Sequence, residues 1–412
     1  MNKLNKPEFS EGVGSYSLRW DNGTDIDVTR VKQHTSDGRV TAEVSVRYGE
    51  NGSKQHLHQA QLNLSSTRSR KELEKTLSTR VEEVDWYAAI EQTCLYVIDA
   101  VRKGEPVRML CTAQQFERPN YLVGPIALEN QPTVLFGDGE SVKSLFCEVL
   151  CIVMILPWRD NPLGLSAPEQ PITPLVLDWE THEDEYGWRM QRLIKGFGLP
   201  DIEIPYRRCA LPLADDIAHV KEHIRNTGAG CVVIDSVAGA AGGDLNTADV
   251  AIRMFTAIRQ LNVSSILIAH TSKDQEKRRT IYGSAFFNNY ARQVWYVKRE
   301  NPEDDGDDIR IGLFHKKHNN TRGSLPLGFR FLFEDDAITV EKSDIRDSAE
   351  MVQELGAGAR IMAALKRTAL KPNDIAEETG LPATTVRVTL RRLKQKDRVT
   401  HLPDGRYGLS LY

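Results

Sequence analysis

Short apolar runs alternate with segments of helical periodicity between residues 133 and 314. Six such runs, rich in Val, Ile and Leu, span residues 133–136, 175–180, 231–236, 264–270, 292–297 and 309–314. The segment 247–261 places Val250, Met254, Ile258 and Leu261 on one stripe, as expected for a helix that packs on a sheet. Strands this apolar are buried on both faces. The pattern therefore predicts an α/β fold with helices on both faces of a sheet.

The first 117 residues have a different pattern, without a motif that indicates chemistry. Polar and apolar residues alternate from Ser15 to Leu64, with turn-forming DNG, SDG and GENG between the runs, which predicts a small antiparallel sheet. Helical periodicity follows near 69–79 and 84–102. His56 and His58 share one strand face and are interpreted as solvated side chains rather than metal ligands.

A third pattern begins near Ser348. Helices are predicted over 349–367, 373–379 and 383–396, and Asp404-Gly405 is a favourable turn pair between two short strands. This order of helices and hairpin is typical of a winged-helix module with a helix-turn-helix. We therefore predict three domains: an accessory domain over 1–117, an α/β core over 118–345 and a winged helix over 346–412.

Composition excludes several classes of protein. The 412 residues are 40% hydrophobic and 27% charged, unlike a collagen-like or globally disordered chain. With 53 basic and 57 acidic side chains, the net charge is −4. A surface that binds nucleic acid must therefore be a local basic patch.

The cysteines and the apolar runs indicate the compartment. Six cysteines are scattered without a C-x-x-C pair, and Cys147 and Cys151 lie in an apolar helical stretch, which favours buried thiols in a reducing compartment over metal ligands. The longest apolar run, 145–158, contains Glu148 and is shorter than the roughly 20 residues of a membrane span. The first twelve residues lack the apolar core of a signal peptide. We expect a soluble, cytoplasmic protein.

The segment 134–144, VLFGDGESVKS, has the layout of a phosphate-binding loop between a strand and a helix. Backbone N–H groups at the start of a helix bind an anion, so ATP is the expected ligand. Lys143 is expected to contact the phosphates and Ser144 to ligate Mg²⁺. The predicted binding residues are Gly137, Asp138, Gly139, Glu140, Ser141, Val142, Lys143, Ser144 and Leu145.

Val142 departs from the pattern, which has glycine immediately before the lysine. A β-branched residue there is expected to crowd the phosphate or strain the backbone. One alternative is a strand-to-helix turn that binds nothing. A second is a loop that binds nucleotide weakly and hydrolyses little. We favour the third, a loop that tolerates Val142 and leaves an active or partly active ATPase.

Polar residues end three of the apolar strands. Asp235 follows CVVI and is predicted to hold the Mg²⁺ ion, although a helix-capping role is the alternative. Glu180 follows LVLDW and is predicted to be the catalytic base; the alternative is that it only begins a solvated acidic cluster with residues 183–185. His270 ends SSILIA, where it is predicted to sense the γ-phosphate or simply to cap the strand.

Six segments follow one another in this order: GDGESVKS, LVLDWE, CVVIDSVAGAAGGDLNTADV, ILIAHTSK, YGSAFFNNYARQVWYV and FHKKHNN. Together they resemble the RecA-type ATPases of the RepA-like branch of hexameric replicative helicases. The resemblance covers roughly 118–345. It implies Lys143, Glu180 and His270 as catalytic residues, Ser144 and Asp235 as metal ligands, and Gly283-Ser284 beside Arg292. It also implies that Arg292, together with Lys316 or Lys317, acts on the nucleotide of a neighbouring subunit. His318 stands where related helicases have Arg.

Two segments are candidates for DNA binding. The polar segment 271–282 contains Lys277, Arg278 and Arg279, and such loops in RecA-like rings contact nucleic-acid backbone; a solvated loop is the alternative. From Ala357 onwards, eleven Lys and Arg face five Asp and Glu, a local charge of +6. The residues predicted to contact DNA there are Thr384, Thr385, Arg387, Arg391, Lys394 and Arg406. A protein-docking module is the alternative.

These observations favour an ATP-dependent, homo-oligomeric DNA motor of replication or recombination, with single-stranded DNA in its channel and duplex DNA at the winged helix. The resemblance implies a hexamer. The main alternative is a non-catalytic DNA-binding regulator or loader whose phosphate loop is degenerate. A strand-exchange protein, which predicts filaments, and a small-molecule kinase are weaker alternatives.

Overall fold

The computed structural model describes residues 5–12, 15–34, 36–49, 53–103, 109–111, 119–272, 280–300, 308–319 and 323–410. Its contacts divide the chain into two compact units. The first comprises Met1–Arg118 and Leu213–Gly228, and the second comprises Pro119–Pro212 and Ala229–Tyr412. The first unit thus includes a segment from the middle of the chain, and the division into three domains stays a prediction.

The first unit is built on a five-stranded antiparallel sheet, as the alternating pattern predicts. Its strands are β1 (Glu8–Gly12), β2 (Ser15–Arg19), β3 (Thr24–Gln33), β4 (Val40–Tyr48) and β5 (Gln55–Asn63), paired in sequence order. Helices α1 (Thr67–Ser78) and α2 (Trp86–Lys103) follow. Every second residue of β4 is buried, so one face of the sheet packs on the helices and the other stays polar.

The second unit contains a nine-stranded mixed sheet with the order β10-β9-β11-β12-β8-β13-β14-β15-β16. Its strands are β8 (Pro132–Gly137), β9 (Pro174–Asp178), β10 (Tyr206–Arg208), β11 (Cys231–Asp235), β12 (Ser264–His270), β13 (Gln293–Arg299), β14 (Asp308–His318), β15 (Leu327–Phe333) and β16 (Ile338–Ser343), while β6 (Tyr121–Val123) pairs with β7 (Ala127–Leu128). The six strands from β10 to β13 are parallel. The last three strands extend the sheet in antiparallel fashion.

Helices connect the parallel strands. They are α3 (Lys143–Ile155), α4 (Glu183–Phe197), α5 (Leu213–Thr227), α6 (Val237–Ala241), α7 (Ala248–Leu261) and α8 (Ala285–Tyr290). Every residue of β8, β9 and β11 is buried, which confirms the predicted α/β fold. In α7, Met254, Ile258 and Leu261 are buried as the stripe predicts, while Val250 is half-buried.

Helix α5 packs with the first unit, against β3. Lys32 Nζ donates to the Asp215 carbonyl oxygen at 3.1 Å, and the Arg225 guanidinium donates to Ser15 Oγ at 2.5 Å. A bulge in β3, between Thr29 and Lys32, includes Arg30 at φ +53°. The amphipathic pattern of α5 predicts a buried face but not the unit that buries it.

The C-terminal part of the second unit has a small core of its own. After a 3-10 turn (Ile345–Asp347) come α9 (Ala349–Gln353), α10 (Ala357–Arg367), α11 (Pro372–Thr379) and α12 (Ala383–Gln395), then the hairpin β17 (Val399–His401) and β18 (Tyr407–Leu409). Its core comprises Ile361, Leu365, Ile375, Val386, Leu390 and Val399. The single helix predicted over 349–367 is wrong, because α9 ends at its cap Glu354 and Gly356 begins α10 in extended conformation.

One expectation about burial is met in the described part of the chain. Cys147 and Cys151 are buried thiols, as are the other cysteines except the exposed Cys111. No helix of the described residues is both long enough and apolar enough to span a bilayer.

Candidate nucleotide-binding site

The parallel strands bring the predicted site residues to one edge of the sheet. Gly137, the last residue of β8, lies beside His270, the last residue of β12. Asp235, at the end of β11, lies beside Asp178 at the end of β9. Glu180 follows two residues later. The carboxyl ends of neighbouring parallel strands form the usual ligand crevice of an open α/β sheet.

The loop between β8 and α3 is held by its neighbours in the sheet. A Cβ atom at Gly137 would lie 2.3 Å from the Val297 carbonyl oxygen, so only glycine fits beside β13. Ser141 Oγ donates to the Asp138 carbonyl oxygen at 2.7 Å, and the Arg299 guanidinium donates to the Glu140 carbonyl oxygen at 3.0 Å. These contacts fix the loop at the start of α3.

Val142 caps α3 in the left-handed conformation, with φ +48° and ψ +29°. Its carbonyl oxygen accepts from the Phe146 N–H at 2.9 Å, and its partly buried side chain packs against the apolar core around α3. A β-branched residue in this conformation costs about 1–2 kcal/mol relative to glycine. Core packing of the isopropyl group offsets part of that cost. Valine in place of the usual glycine therefore affects mainly the backbone of the loop.

Lys143 is 5% exposed, and its ammonium group lies inside the loop. Nζ donates to the Asp138 carbonyl oxygen at 2.6 Å and to Ser141 Oγ at 3.0 Å. Burial lowers the pKa of Lys143 to about 8, although the nearby Asp235, Asp138 and Glu180 carboxylates favour its charged form. A cation removed from water in this way gains most from an anionic ligand.

Asp235 and Ser144 present the oxygen atoms that a divalent cation requires. Asp235 is 6% exposed, and burial raises its pKa to about 6, although a hydrogen bond from the Ser144 hydroxyl favours the ionised form. Among the described residues, no group donates to the buried Asp235 Oδ1. An unsatisfied buried carboxylate oxygen costs free energy. A carboxylate and a hydroxyl oxygen are ligands that suit Mg²⁺, so these residues fit the ion.

Glu180 is positioned between Ser236 and His270. Its Oε1 accepts a short hydrogen bond from Ser236 Oγ and lies 3.7 Å from His270 Nε2, beyond ordinary hydrogen-bond length. The interaction with His270 is the main cause that lowers the pKa of Glu180, and the Ser236 hydroxyl lowers it further against the effect of burial. The carboxylate is therefore ionised at neutral pH, as a general base must be.

Asp178 is a site residue that the sequence pattern did not single out. This carboxylate is 1% exposed and accepts from the N–H groups of Glu180 at 2.7 Å and Thr181 at 2.9 Å. It also accepts from the Tyr206 hydroxyl at 2.9 Å. Asp178 thus fixes the turn that presents Glu180. The signal available in the sequence was that Asp178, like Asp235, ends an apolar run.

A buried ion pair joins the helix after the loop to the helix after Glu180. Arg189 of α4 donates from Nε to Glu148 of α3 at 2.7 Å and from another nitrogen to Glu185 at 2.8 Å. Burial raises the pKa of Glu148, and Arg189 opposes that effect by favouring the charged carboxylate. Removing one partner of such a pair leaves an uncompensated buried charge. Glu148, the one acid of the long apolar run, thus ties two site elements together.

Arg292 and Lys317 lie at the other end of the strands. The Arg292 N–H donates to the carbonyl oxygen of Pro132, the first residue of β8, at 3.0 Å, and β8 is six residues long, or about 20 Å. Lys317 Nζ donates to three carbonyl oxygens at the end of α8, those of Asn288, Asn289 and Ala291, at 2.7–2.8 Å. One chain does not bring these cations to its own loop, so their action on a neighbour's nucleotide stays a prediction.

The predicted DNA contacts are only partly described. Lys277, Arg278 and Arg279 lie outside the described residues. Of the predicted contacts on α12, Thr384, Arg387, Arg391 and Lys394 are exposed, and Thr385 is half-buried. Arg406 forms an ion pair with Asp404 at 2.6 Å.

Comparison with known proteins supports the loop assignment. Residues 105–276 match the family model described as AAA domain. The match supports a nucleotide-binding P-loop ATPase core. It includes the loop, Glu180, Asp235 and His270, and it ends before Arg292, Lys317 and the C-terminal helices. The domain match spans less than half of the chain.

Solved structures and curated sequences add little. A KaiC-like protein of the hyperthermophilic archaeon Pyrococcus horikoshii OT3 is 15% identical, and the similarity covers 57% of this chain and 99% of that chain with a TM-score of 0.36. A similarity this low carries no argument about function. The search of curated proteins returned no relative.

Proposed function

We propose that this chain is an oligomeric, ATP-hydrolysing DNA motor resembling the RepA-like helicases. The observation that carries the proposal is the convergence of Lys143, Asp235 and Glu180 at one sheet edge, in a chain that also has a basic C-terminal helical module. The P-loop core supports ATP binding. DNA binding and assembly are the further steps that the proposal adds.

Each residue at the sheet edge has a distinct part in the proposed reaction. Lys143 and the N–H groups at the start of α3 bind the phosphates, while Ser144 and Asp235 hold the metal ion. Mg²⁺, when bound, neutralises negative charge on the phosphate oxygens. Glu180 takes the proton of the attacking water, and Asp178 and Ser236 keep its carboxylate in place. His270 lies close enough to Glu180 to respond to the state of that carboxylate.

Assembly supplies the remaining cations. Since Arg292 lies about one strand length from the loop of its own chain, it is available to the loop of a second copy in a head-to-tail arrangement. Such interfaces close into rings or continue as filaments. A cation supplied in trans makes hydrolysis depend on assembly.

The C-terminal module is proposed to bind duplex DNA. Arg387, Arg391 and Lys394 project from α12 into solvent, with Val386 and Leu390 of the same helix in the core. One face therefore anchors the helix and the other presents cations. Cations on an exposed helix suit contacts to phosphates and to base edges in the major groove.

Steady-state ATP turnover, measured with and without single-stranded DNA and alongside native mass, tests the motor proposal. We expect turnover to rise with protein concentration as oligomers form, and to rise further with DNA. Closed rings in electron micrographs support the motor, whereas filaments favour the strand-exchange alternative. Absence of turnover in every oligomeric state would exclude a motor.

The left-handed conformation of Val142 is the observation that favours the alternative, a non-catalytic regulator or loader. The motor proposal predicts a small effect of restoring glycine. Because the Val142 side chain packs into the core, we expect Val142→Gly to change turnover by less than about fivefold. The free energy of unfolding should change by about 1 kcal/mol or less, since relief of strain opposes the loss of packing.

The control for this substitution is Glu140→Gly. Glu140 is also left-handed, at φ +60°, but it is exposed, so glycine there should stabilise the fold without a packing loss. Chemical denaturation and ATP turnover are measured on both variants. A silent native chain in which Val142→Gly restores hydrolysis would establish the degenerate-loop alternative.

A further inference from the structure

A cavity of about 460 Å³ lies at the end of the sheet opposite the phosphate loop. It opens where β8, β12 and β13 begin, and its lining includes Ser265, Arg259, Arg292, Tyr290, Asn130 and Asn262. Sites for small ligands usually occupy about 300–1,000 Å³. The cavity therefore has room for a ligand of nucleotide size, separate from the loop.

A buried hydroxyl group in the lining has no partner. Ser265 is 1% exposed, and among the described residues its Oγ makes no hydrogen bond. Buried polar groups are almost always paired. Since Ser265 lines the cavity, a polar ligand there would satisfy it.

The cavity is also cationic. Arg259 stacks over the Tyr290 ring, with Cζ 5.4 Å from the ring centroid, so its guanidinium is held in place. Both Arg259 and Arg292 line the cavity, and no Asp or Glu does. Within the described ranges, neither arginine forms an ion pair with a carboxylate. Arginine presents several N–H donors in a planar fork that matches phosphate oxygens.

Two neighbouring features remove obstacles to an anion. Helix α8 ends at Tyr290 beside the cavity, and carbonyl oxygens at a helix end repel anions. Here Lys317 Nζ donates to three of those oxygens. The side-chain amides of Asn130 and Asn262 provide both donors and acceptors for the polar remainder of a ligand.

We propose that this cavity is a second ligand site, which binds the phosphate group of a small organic phosphate through Arg259, Arg292 and Ser265. The site does not include the phosphate loop of its own chain. It gives Arg292 a partner within its own chain, which is distinct from a role at the nucleotide of a neighbouring subunit.

The test uses the full chain with Lys143→Ala, so that the phosphate loop loses its ammonium group, under conditions in which native mass shows a monomer. Inorganic phosphate and adenosine 5′-monophosphate are titrated by calorimetry. We expect saturable binding with one site per chain. Adding Arg259→Gln or Arg292→Gln should weaken affinity at least about tenfold, and Ser265→Ala should weaken it a few-fold.

The matched control is Arg253→Gln, which removes the same charge from the same helix at an exposed position outside the cavity lining. Its affinity should equal that of the parent, and thermal unfolding verifies that every variant is folded.

Lack of saturable binding, or equal affinity in the Arg259→Gln and Arg253→Gln chains, overturns the proposal. The proposal is also overturned if phosphate affinity depends on Arg292 only in assembled chains with intact Lys143. In that case, Arg292 contacts the phosphate of a neighbour's nucleotide. Loss of ATP turnover in the native chain affects the motor proposal and leaves this titration unchanged.

Discussion

Replacing Glu180 by Gln is expected to reduce ATP turnover by about 10²–10⁴-fold, the usual contribution of a general base, while nucleotide affinity changes by less than about threefold. Glutamine has the same shape, and its carbonyl oxygen still accepts from Ser236 Oγ. It cannot take a proton from water. Single-turnover kinetics and equilibrium binding of Mg²⁺-ATP together separate the chemical step from binding.

The control is Glu183→Gln, in the acidic cluster that begins α4. Glu183 is exposed and belongs to the first turn of the helix, where a carboxylate contributes about 0.3–1 kcal/mol to helix stability. Turnover of this variant should remain within about twofold of the native chain. If the two substitutions reduced turnover equally, or if Glu180→Gln retained native turnover, Glu180 would be only a member of a solvated cluster.

The double variant Arg387→Gln/Arg391→Gln should bind duplex DNA at least about thirtyfold more weakly, because each charged contact contributes about 1–3 kcal/mol. The slope of log affinity against log salt concentration should fall by about two if both residues contact phosphates. Both side chains are exposed on α12, so the fold should be retained. Fluorescence anisotropy across a range of salt concentrations measures both quantities.

The matched variant Lys366→Gln/Arg367→Gln removes the same charge from the exposed end of α10. If the C-terminal module binds DNA through α12, this pair of substitutions should reduce DNA affinity much less. Equal losses would mean that net charge, rather than a defined surface, governs binding. If neither pair weakened binding, the module would act in protein docking.

The local sequence was sufficient to predict the elements that form the phosphate site. A strand, a loop with Gly137 and Lys143, and an apolar helix follow one another within 24 residues, from β8 to the end of α3. The position of Asp235 at the end of a buried strand was predictable as well, because a fully apolar run ends on it. These inferences succeed because the alternation of buried strands and helices is encoded residue by residue.

The partners of those residues depended on contacts between distant segments. Ser236 contacts Glu180 across 56 positions of the chain, and Glu148 meets Arg189 across 41 positions. Side-chain pairs of this kind follow from strand order and register, which a local pattern does not encode. For the same reason, the assignment of α5 to the first unit was not predictable.

The sequence by itself determined the alternation of strands and helices, the anion-binding loop and the basic face of α12, because each depends on residues close together in the chain. Only the tertiary structure decided that Val142 packs into the core, that Arg292 and Lys317 lie far from the loop of their own chain, and that Ser265 and Arg259 share a cavity. The physical reason is that burial and pairing are properties of the sheet order, in which β8 lies between β12 and β13 although both follow it by more than 120 residues.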